Sequence, residues 1–99
     1  MIIINQPIEF NWDKNNTDKN WIKHRVSNEE AEEVFFDDKK QLFLDPTHSS
    51  QENRYIIVGK TRKKRLLFIA FTLRKNKVRI ISARDLNKRK ERQLYEKTT

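Results

Sequence analysis

The sequence predicts a single α+β domain (residues 1–99) built around an antiparallel sheet of about four strands. Three observations support this class. Helical apolar patterns are confined to the N-terminal third and a basic C-terminal segment. From residue 41 onward the apolar residues recur with period two, as in strands. The last two joins between these strands have hairpin length, which favours an antiparallel meander. A chain of 99 residues leaves room for one such domain.

The first elements are predicted to be a short strand and a polar helix. Residues 7–12 alternate apolar and polar side chains, which indicates a strand. Asp13 then has the position of an N-cap for a helix that runs to about Arg25. Trp21 and Ile22 are the apolar residues expected to anchor this helix in the core.

A second helix is predicted directly after the first. Ser27 and Glu30 are three residues apart, which is the spacing of a capping box. The helix that they open places three apolar side chains on one face, namely those of Ala31, Val34 and Phe35.

The remainder of the chain is predicted to form four strands and a final helix. The strand candidates are residues 41–45, 54–60, 66–73 and 77–84. The third candidate is apolar on both faces and therefore belongs in the middle of the sheet. Residues 85–97 form a basic segment predicted to be helical.

The charge is divided unevenly along the chain. Residues 1–59 contain 7 basic and 11 acidic side chains, whereas residues 60–99 contain 15 basic and 3 acidic ones. This distribution favours a polyanion or an acidic protein as the partner of the C-terminal half. The alternative interpretation is that the lysines and arginines only solvate the surface.

Several classes of protein are excluded or disfavoured by composition. The absence of cysteine excludes disulfides, thiolate zinc sites and cysteine nucleophiles. The single glycine leaves no glycine-rich phosphate loop. His24 and His48 are not spaced as metal ligands on one helix, so neither a metal nor another cofactor is expected. No apolar run is long enough for a membrane helix, which predicts a cytoplasmic protein with no membrane partner.

Four arginines of the predicted strands, three at strand ends and one within the last strand, are the main candidates for chemistry. They are Arg54, Arg74, Arg79 and Arg84. In a meander these side chains could converge on one face, where a guanidinium fork suits phosphate oxygens. The alternative is that each is a strand-end surface charge, exposed or paired to Glu52 or Asp85.

Simple alternation predicts the faces of the last strand. Val78 and Ile80 are expected on one side, and Arg79, Ile81 and Ala83 on the other.

Lys23 and His24 close the first predicted helix and have two interpretations. As cations at a helix C-terminus they interact favourably with the helix dipole. Alternatively they are proton-transfer groups, because imidazole titrates near neutral pH.

Five segments in the right order resemble the BrnT family, small toxins of the RelE-like group of bacterial type II toxin–antitoxin ribonucleases. The resemblance covers about nine-tenths of the chain. The segments are FNWDKNN (10–16), KHRVSNEEAEEVF (23–35), ENRYIIVG (52–59), RIISAR (79–84) and ERQLYE (91–96).

The resemblance implies a RelE-like fold and an endoribonuclease that cuts RNA and halts translation. It also implies a BrnA-type antitoxin that inhibits the toxin and, in complex with it, binds operator DNA and represses the operon. Whether the ribosome is required is left open. Carried onto matching positions, the functional residues are Lys23, His24, Glu52, Arg54, Arg74, Arg79 and Arg84.

These residue types fit RNA cleavage without metal, in which a 2′-OH attacks the adjacent phosphate. We expect Arg54, Arg79 and Arg84 to stabilise the phosphorane. Glu52 or Lys23 would accept the 2′-OH proton, and His24 or Lys23 would protonate the leaving oxygen.

Two positions depart from the family pattern. Arg25 stands where glycine is frequent, which puts the turn between the helices in doubt because arginine disfavours a left-handed cap. Asn28 stands where phenylalanine is frequent, which removes an apolar contact at the start of the second helix.

Two other functions remain open from the sequence. One is a non-catalytic nucleic-acid-binding module that acts through the C-terminal helix, with contacts from Lys88, Arg89, Lys90 and Arg92. The other is an inactive remnant kept as a partner of the antitoxin. For the ribonuclease, Arg74, Lys88, Arg89 and Arg92 are the expected RNA-binding side chains.

Overall fold

The computed structural model describes residues 7–45, 53–86 and 89–96, which form three helices and four strands. In chain order they are α1 (Lys19–His24), α2 (Asn28–Val34), β1 (Gln41–Leu44), β2 (Arg54–Lys60), β3 (Leu66–Arg74), β4 (Lys77–Asp85) and α3 (Arg89–Glu96). The described chain is therefore an α+β structure, as the sequence predicts.

The four strands form one antiparallel sheet in the order β1-β2-β3-β4. This confirms the predicted meander, and each predicted strand agrees with the observed one to within a residue at either end. The central strand β3 is largely buried, since both of its faces are covered over part of their length.

Two apolar clusters lie on opposite faces of the sheet. The larger one packs α2 and Val26 against side chains such as Ile57, Ile69 and Phe71. The smaller one packs Leu86 and Tyr95, at the two ends of the α3 region, against Val58 and its neighbours. α3 thus covers one end of the second face, while α2 covers the first.

The predicted capping box of α2 is confirmed. The Ser27 hydroxyl accepts a hydrogen bond from the backbone N–H of Glu30, and the Glu30 carboxylate accepts one from the Ser27 N–H, each at 3.1 Å. Ala31, Val34 and Phe35 are all buried. The helical spacing of apolar residues in this segment therefore predicts both the helix and the face that it buries.

The predicted start of the first helix is wrong. Asp13 begins a turn, in which its carbonyl accepts from the N–H groups of Asn16 and Thr17, and α1 begins only at Lys19. Asn, Thr and Asp side chains compete for nearby backbone groups and are poor helix formers. A segment rich in them forms turns here.

The predicted anchors of α1 are also wrong. Trp21 and Ile22 are 46% and 76% exposed, and Asn20 is the buried residue of the helix. The reason is that α1 lies against the outer edge of β4, which presents backbone polar groups. The Asn20 amide oxygen accepts from the Ala83 N–H at 2.9 Å, and the Asn16 amide donates to the Ile80 carbonyl at 3.1 Å.

Both ends of the described chain differ in detail from the prediction. The N-terminal strand is reduced to one parallel bridge between Phe10 and Val78. Asp85, predicted to begin the last helix, belongs to β4 because the strand continues one residue further in its pairing with Leu67.

Candidate functional site

Strand pairing brings four arginines to one face of the sheet. Arg54 of β2 pairs with Thr72 of β3, and Thr72 pairs with Arg79 of β4. Directly paired residues project to the same face, so these three form one row across the sheet. Arg74 and Arg84 lie on the same face by alternation and register. We call this surface, defined by Arg54, Arg74, Arg79 and Arg84, the arginine face.

A β-bulge in β4 is the reason that Arg84 lies on this face. Ala70 pairs with Ser82 and Phe71 pairs with Ile80, so Ile81 is the extra, unpaired residue. The prediction that Ala83 shares the face of Arg79 is therefore wrong. After the bulge the alternation is reversed, so that Ala83 is buried in the larger cluster and Arg84 projects to the arginine face.

The charged side chains that the four described strands project to the arginine face are all cations, and the apolar part of this face lies under α3. Within the four described strands, no aspartate or glutamate projects to it, because Asp85 alternates to the opposite face. Lys77 adds a further cation beside Arg74. A face with this charge attracts a polyanion.

Arg79 is held in a fixed orientation. Its side chain is 13% exposed and makes a bidentate ion pair with Asp13, through NH1 at 2.9 Å and NH2 at 3.1 Å. NH1 also donates to the Asn11 side-chain oxygen at 3.0 Å. These hydrogen bonds from Arg79 hold the pKa of the Asp13 carboxyl below its usual value, so the carboxylate stays charged at neutral pH.

These contacts leave part of the Arg79 guanidinium for a ligand. A guanidinium has five N–H groups. Three of them are engaged by Asn11 and Asp13. The sequence did not predict the pair with Asp13, because 66 residues separate the two partners.

Arg84 is oriented by an aromatic ring. Its guanidinium carbon lies 4.3 Å from the centroid of Phe68, its partner in the strand pairing, and NH1 donates to the Asp85 carbonyl at 3.1 Å. This stacking places Arg84 at the border between the arginine face and the cluster under α3.

The end of the sheet beneath α3 is fixed by Tyr95. Its hydroxyl donates to the Asp37 carboxylate at 2.7 Å. Burial and this interaction with Asp37 raise the pKa of Tyr95 to about 12. Although burial opposes it, hydrogen bonds from the Lys60 N–H and Tyr95 lower the pKa of Asp37.

Arg89 and Arg92 of α3, two of the predicted RNA-binding residues, are exposed beside this region, whereas Lys88 lies outside the described residues.

Lys23 and His24 end α1 near the last residues of β4. Lys23 is exposed and His24 is half-buried. The charge of His24 helps to lower the pKa of Asp85, the last residue of β4, after the larger effect of hydrogen bonds from Arg65. His24 is thus placed near Asp85, which projects to the face opposite Arg84, and Glu52 lies outside the described residues.

Arg65 organises this edge, although it was not among the predicted functional residues. It makes a bidentate contact to Asp85 at 2.7 and 3.0 Å and also pairs with Glu30 at 3.2 Å. It donates to the carbonyls of His24 and Arg25 as well, at 3.2 and 2.7 Å. Arg65 therefore fixes the end of α1, and with it His24, to β4.

Arg25 adopts the left-handed conformation that the sequence comparison put in doubt, with φ 56° and ψ 37°. Its N–H caps α1 by donating to the Asn20 and Trp21 carbonyls. The turn forms in spite of the arginine, at some cost in backbone energy.

A groove of about 390 Å³ lies beside α2, away from the predicted site, and includes Glu33, Asp37, Asp38 and Arg62 in its lining. The lining also includes Lys60, so that three carboxylates stand against two cations, and the groove lacks the excess of positive charge that favours a phosphate.

Two kinds of feature are absent from the described chain. No group of three His, Cys, Asp or Glu side chains is arranged to hold a metal ion. No helix in the described segments has the length and apolar character needed to span a bilayer.

An antiparallel sheet with an arginine-lined face is a surface suited to the phosphates of a nucleic acid. Residues 12–90 match a family of ribonuclease toxins from type II toxin–antitoxin systems. The chain belongs to this family, BrnT. No curated protein matches the chain significantly. The resemblance read from the sequence is thereby confirmed, and it implies an RNA target and an antitoxin protein as partner.

Proposed function

We propose that the protein is a single-domain, RelE-like endoribonuclease that cleaves RNA on its arginine face without a metal ion. The observation that carries this proposal is the row formed by Arg54, Thr72 and Arg79, which places one arginine on either side of β3 and both on the same face. Neighbouring strands are about 4.8 Å apart, so the two arginines approach from about 10 Å and can reach the same phosphate.

The proposed reaction is attack of a 2′-OH on the adjacent phosphate. The bond to the 5′ oxygen breaks, and a 2′,3′-cyclic phosphate and a 5′-OH are formed. Arg54 and Arg79 would neutralise the charge on the phosphorane, with Arg84 on the same face as a third cation. A well-placed donor to such a charge contributes on the order of 3 kcal/mol to transition-state stabilisation.

The acid and the base are proposed from a smaller set of residues. Glu52 or Lys23 would accept the 2′-OH proton, and His24 or Lys23 would protonate the leaving oxygen. The contacts of Arg65 with the His24 carbonyl and with Asp85 support a fixed position for this end of α1. The assignment predicts that Lys23→Ala and Glu52→Ala do not both retain near-normal cleavage under conditions where Arg79→Ala is inactive.

The biological role proposed with this activity is inhibition of translation, controlled by a BrnA-type antitoxin. We propose that an acidic segment of the antitoxin covers the arginine face, and that the complex binds operator DNA and represses its operon. Charge complementarity of this kind predicts that affinity for the antitoxin falls as salt is raised. Binding that strengthens with salt would contradict the proposal.

The experiment that tests the proposed activity is primer extension on a defined mRNA in a cell-free translation extract. Wild type is expected to generate discrete new 5′ ends, and Arg79→Ala is expected to lose them. Arg62→Ala is a matched control because it removes an exposed arginine from the turn between β2 and β3. Repeating the assay on purified RNA shows whether the ribosome is needed.

Two outcomes would redirect the interpretation. If mRNA stays intact with wild type but is bound, and Arg89→Ala and Arg92→Ala reduce binding, the protein is a non-catalytic module that acts through α3. If wild type neither cuts nor binds RNA, it is an inactive partner of the antitoxin. Thermal unfolding of each variant separates a lost function from a lost fold.

A further inference from the structure

Thr72 occupies the centre of the row between Arg54 and Arg79. It is paired with both arginines in the sheet and projects to the same face. Its side chain carries the one neutral hydroxyl of this row. The residue has no counterpart among the positions that the family resemblance marks as functional.

The Thr72 hydroxyl is buried and has no hydrogen-bond partner among the described residues. The residue is only 2% exposed. Buried hydroxyls are almost always hydrogen-bonded, because an unpaired one loses its interactions with water and gains nothing in return. Valine has the same shape and an equally high strand propensity, and would fill this position without that cost.

The surroundings of the hydroxyl indicate which ligand would pair with it. Arg54 and Arg79 flank it in the strand pairing, and no carboxylate projects from the four described strands to this face. Carboxylates stand only at the margins of the row within the described residues, where Asp13 pairs with Arg79 and Asp45 follows β1 opposite Arg54. Arg79 is oriented by Asp13 and Asn11 and retains N–H groups for an acceptor. A ligand seated between the arginines is therefore an anion, and a hydroxyl beneath it acts as a donor.

We propose that Thr72 donates a hydrogen bond to a phosphate oxygen of the RNA that lies between Arg54 and Arg79. This inference rests on the proposed function of the arginine face and adds a contact residue to it. Since the hydroxyl is covered in the free protein, the side chains that cover it must shift to admit the phosphate. Ligand binding then satisfies a donor that the described residues leave unpaired.

The test compares Thr72→Val, which removes only the hydroxyl, with Thr72→Ser, which keeps it. Cleavage of a defined RNA is followed under single-turnover conditions. Thr72→Val is expected to cleave roughly 10 to 100 times more slowly, as for loss of one donor to a developing negative charge. Thr72→Ser is expected to stay within about threefold of wild type. In the absence of RNA, Thr72→Val is expected to melt at the same temperature as wild type or higher.

Binding gives a second readout that does not depend on cleavage. The probe is the same RNA with a 2′-deoxy sugar at the cleavage position, which cannot react. Thr72→Val is expected to weaken its binding with an unchanged dependence on salt, because a neutral hydroxyl displaces no counterion. Arg54→Ala should instead reduce the salt slope by about one.

The possible outcomes distinguish the Thr72 contact from the proposed nuclease activity. If Thr72→Val cleaves and binds like wild type, the inference is wrong, whatever the fate of the proposed function. If wild type does not cleave but Thr72→Val still weakens binding, the contact is supported and the nuclease proposal fails. If wild type does not bind the probe, both fail. Should Thr72→Val not fold, Thr72→Ala is measured against Thr72→Ser in its place.

Discussion

Replacing Arg65 with methionine is the substitution with the largest expected effect on stability at the edge of β4. Methionine is similar in length, but it removes every charged contact of the guanidinium. Those contacts are the pair with Glu30, the bidentate pair with Asp85 and the hydrogen bonds to the carbonyls that end α1.

The size of the effect follows from how exposed each partner is. The Arg65 and Glu30 side chains are 26% and 27% exposed, whereas Asp85 is 54% exposed. The pair with Asp85 is therefore close to a surface ion pair, which contributes about 0–1 kcal/mol. The better-covered contacts to Glu30 and the carbonyls contribute about 1.5–3 kcal/mol to the free energy of unfolding. Together we expect a loss of roughly 2–3 kcal/mol, equivalent to a fall in Tm of about 10–20 °C.

Thermal unfolding followed by circular dichroism measures this directly. Arg62→Met is the control, since it removes an exposed arginine three positions earlier. The reasoning is refuted if Arg65→Met and Arg62→Met melt within about 2 °C of each other, a difference too small for the loss worked out above.

The same variant makes a prediction about acid. The pKa of Asp85 is lowered by hydrogen bonds from Arg65, and that of Glu30 is lowered by Ser27 and Arg65 against the effect of burial. A lowered pKa gives stability that is present above the unfolded value, near 4, and is lost as pH falls through the folded value. Wild type should therefore lose more stability than Arg65→Met when the pH is reduced from 6 to 3.

Three further predictions concern single positions. Arg25→Gly should raise stability by roughly 0.5–1 kcal/mol in urea unfolding, because glycine removes the cost of the left-handed conformation. Gly59→Ala should lower stability by about 1–3 kcal/mol, since its new Cβ would lie 2.9 Å from the Val34 methyl group; an unchanged urea midpoint would contradict the close packing of α2 on β2. In wild type, folding favours the neutral phenol of Tyr95, whose pKa is raised and which donates to Asp37, so stability is lost as pH rises from about 10 to 12. Tyr95→Phe should lack this loss, because phenylalanine does not titrate. Thermal melting at several alkaline pH values measures the difference.

The elements that could be predicted from the sequence are those determined by local patterns. The capping box of α2 needs only Ser27 and Glu30 at the right spacing, and the strands need only alternation between turns. The antiparallel meander follows from the short connections between consecutive strands. The convergence of arginines on one face was an open alternative in the sequence, and it required the strand register to decide it.

The features that could not be predicted depend on partners distant in the chain. α1 buries Asn20 and exposes Trp21 because its neighbour is the polar edge of β4, and nothing in the helix sequence specifies that neighbour. The same holds for Arg79, whose partner Asp13 was interpreted as a helix cap. Thr72 had no distinguishing signal, because threonine is an ordinary strand residue until its hydroxyl is found without a partner.

The bulge at Ile81 determines which side chains at the end of β4 project to the arginine face. Arg79 and Arg84 are five positions apart, an odd interval that would put them on opposite sides of a regular strand. A regular strand of the same length would turn Arg84 toward the core and Ala83 toward the arginine face. Substitution of Ile81 itself changes neither orientation. Deletion of Ile81 would make the interval even, so we expect a bulge-free strand of that length to keep Arg84 on the arginine face.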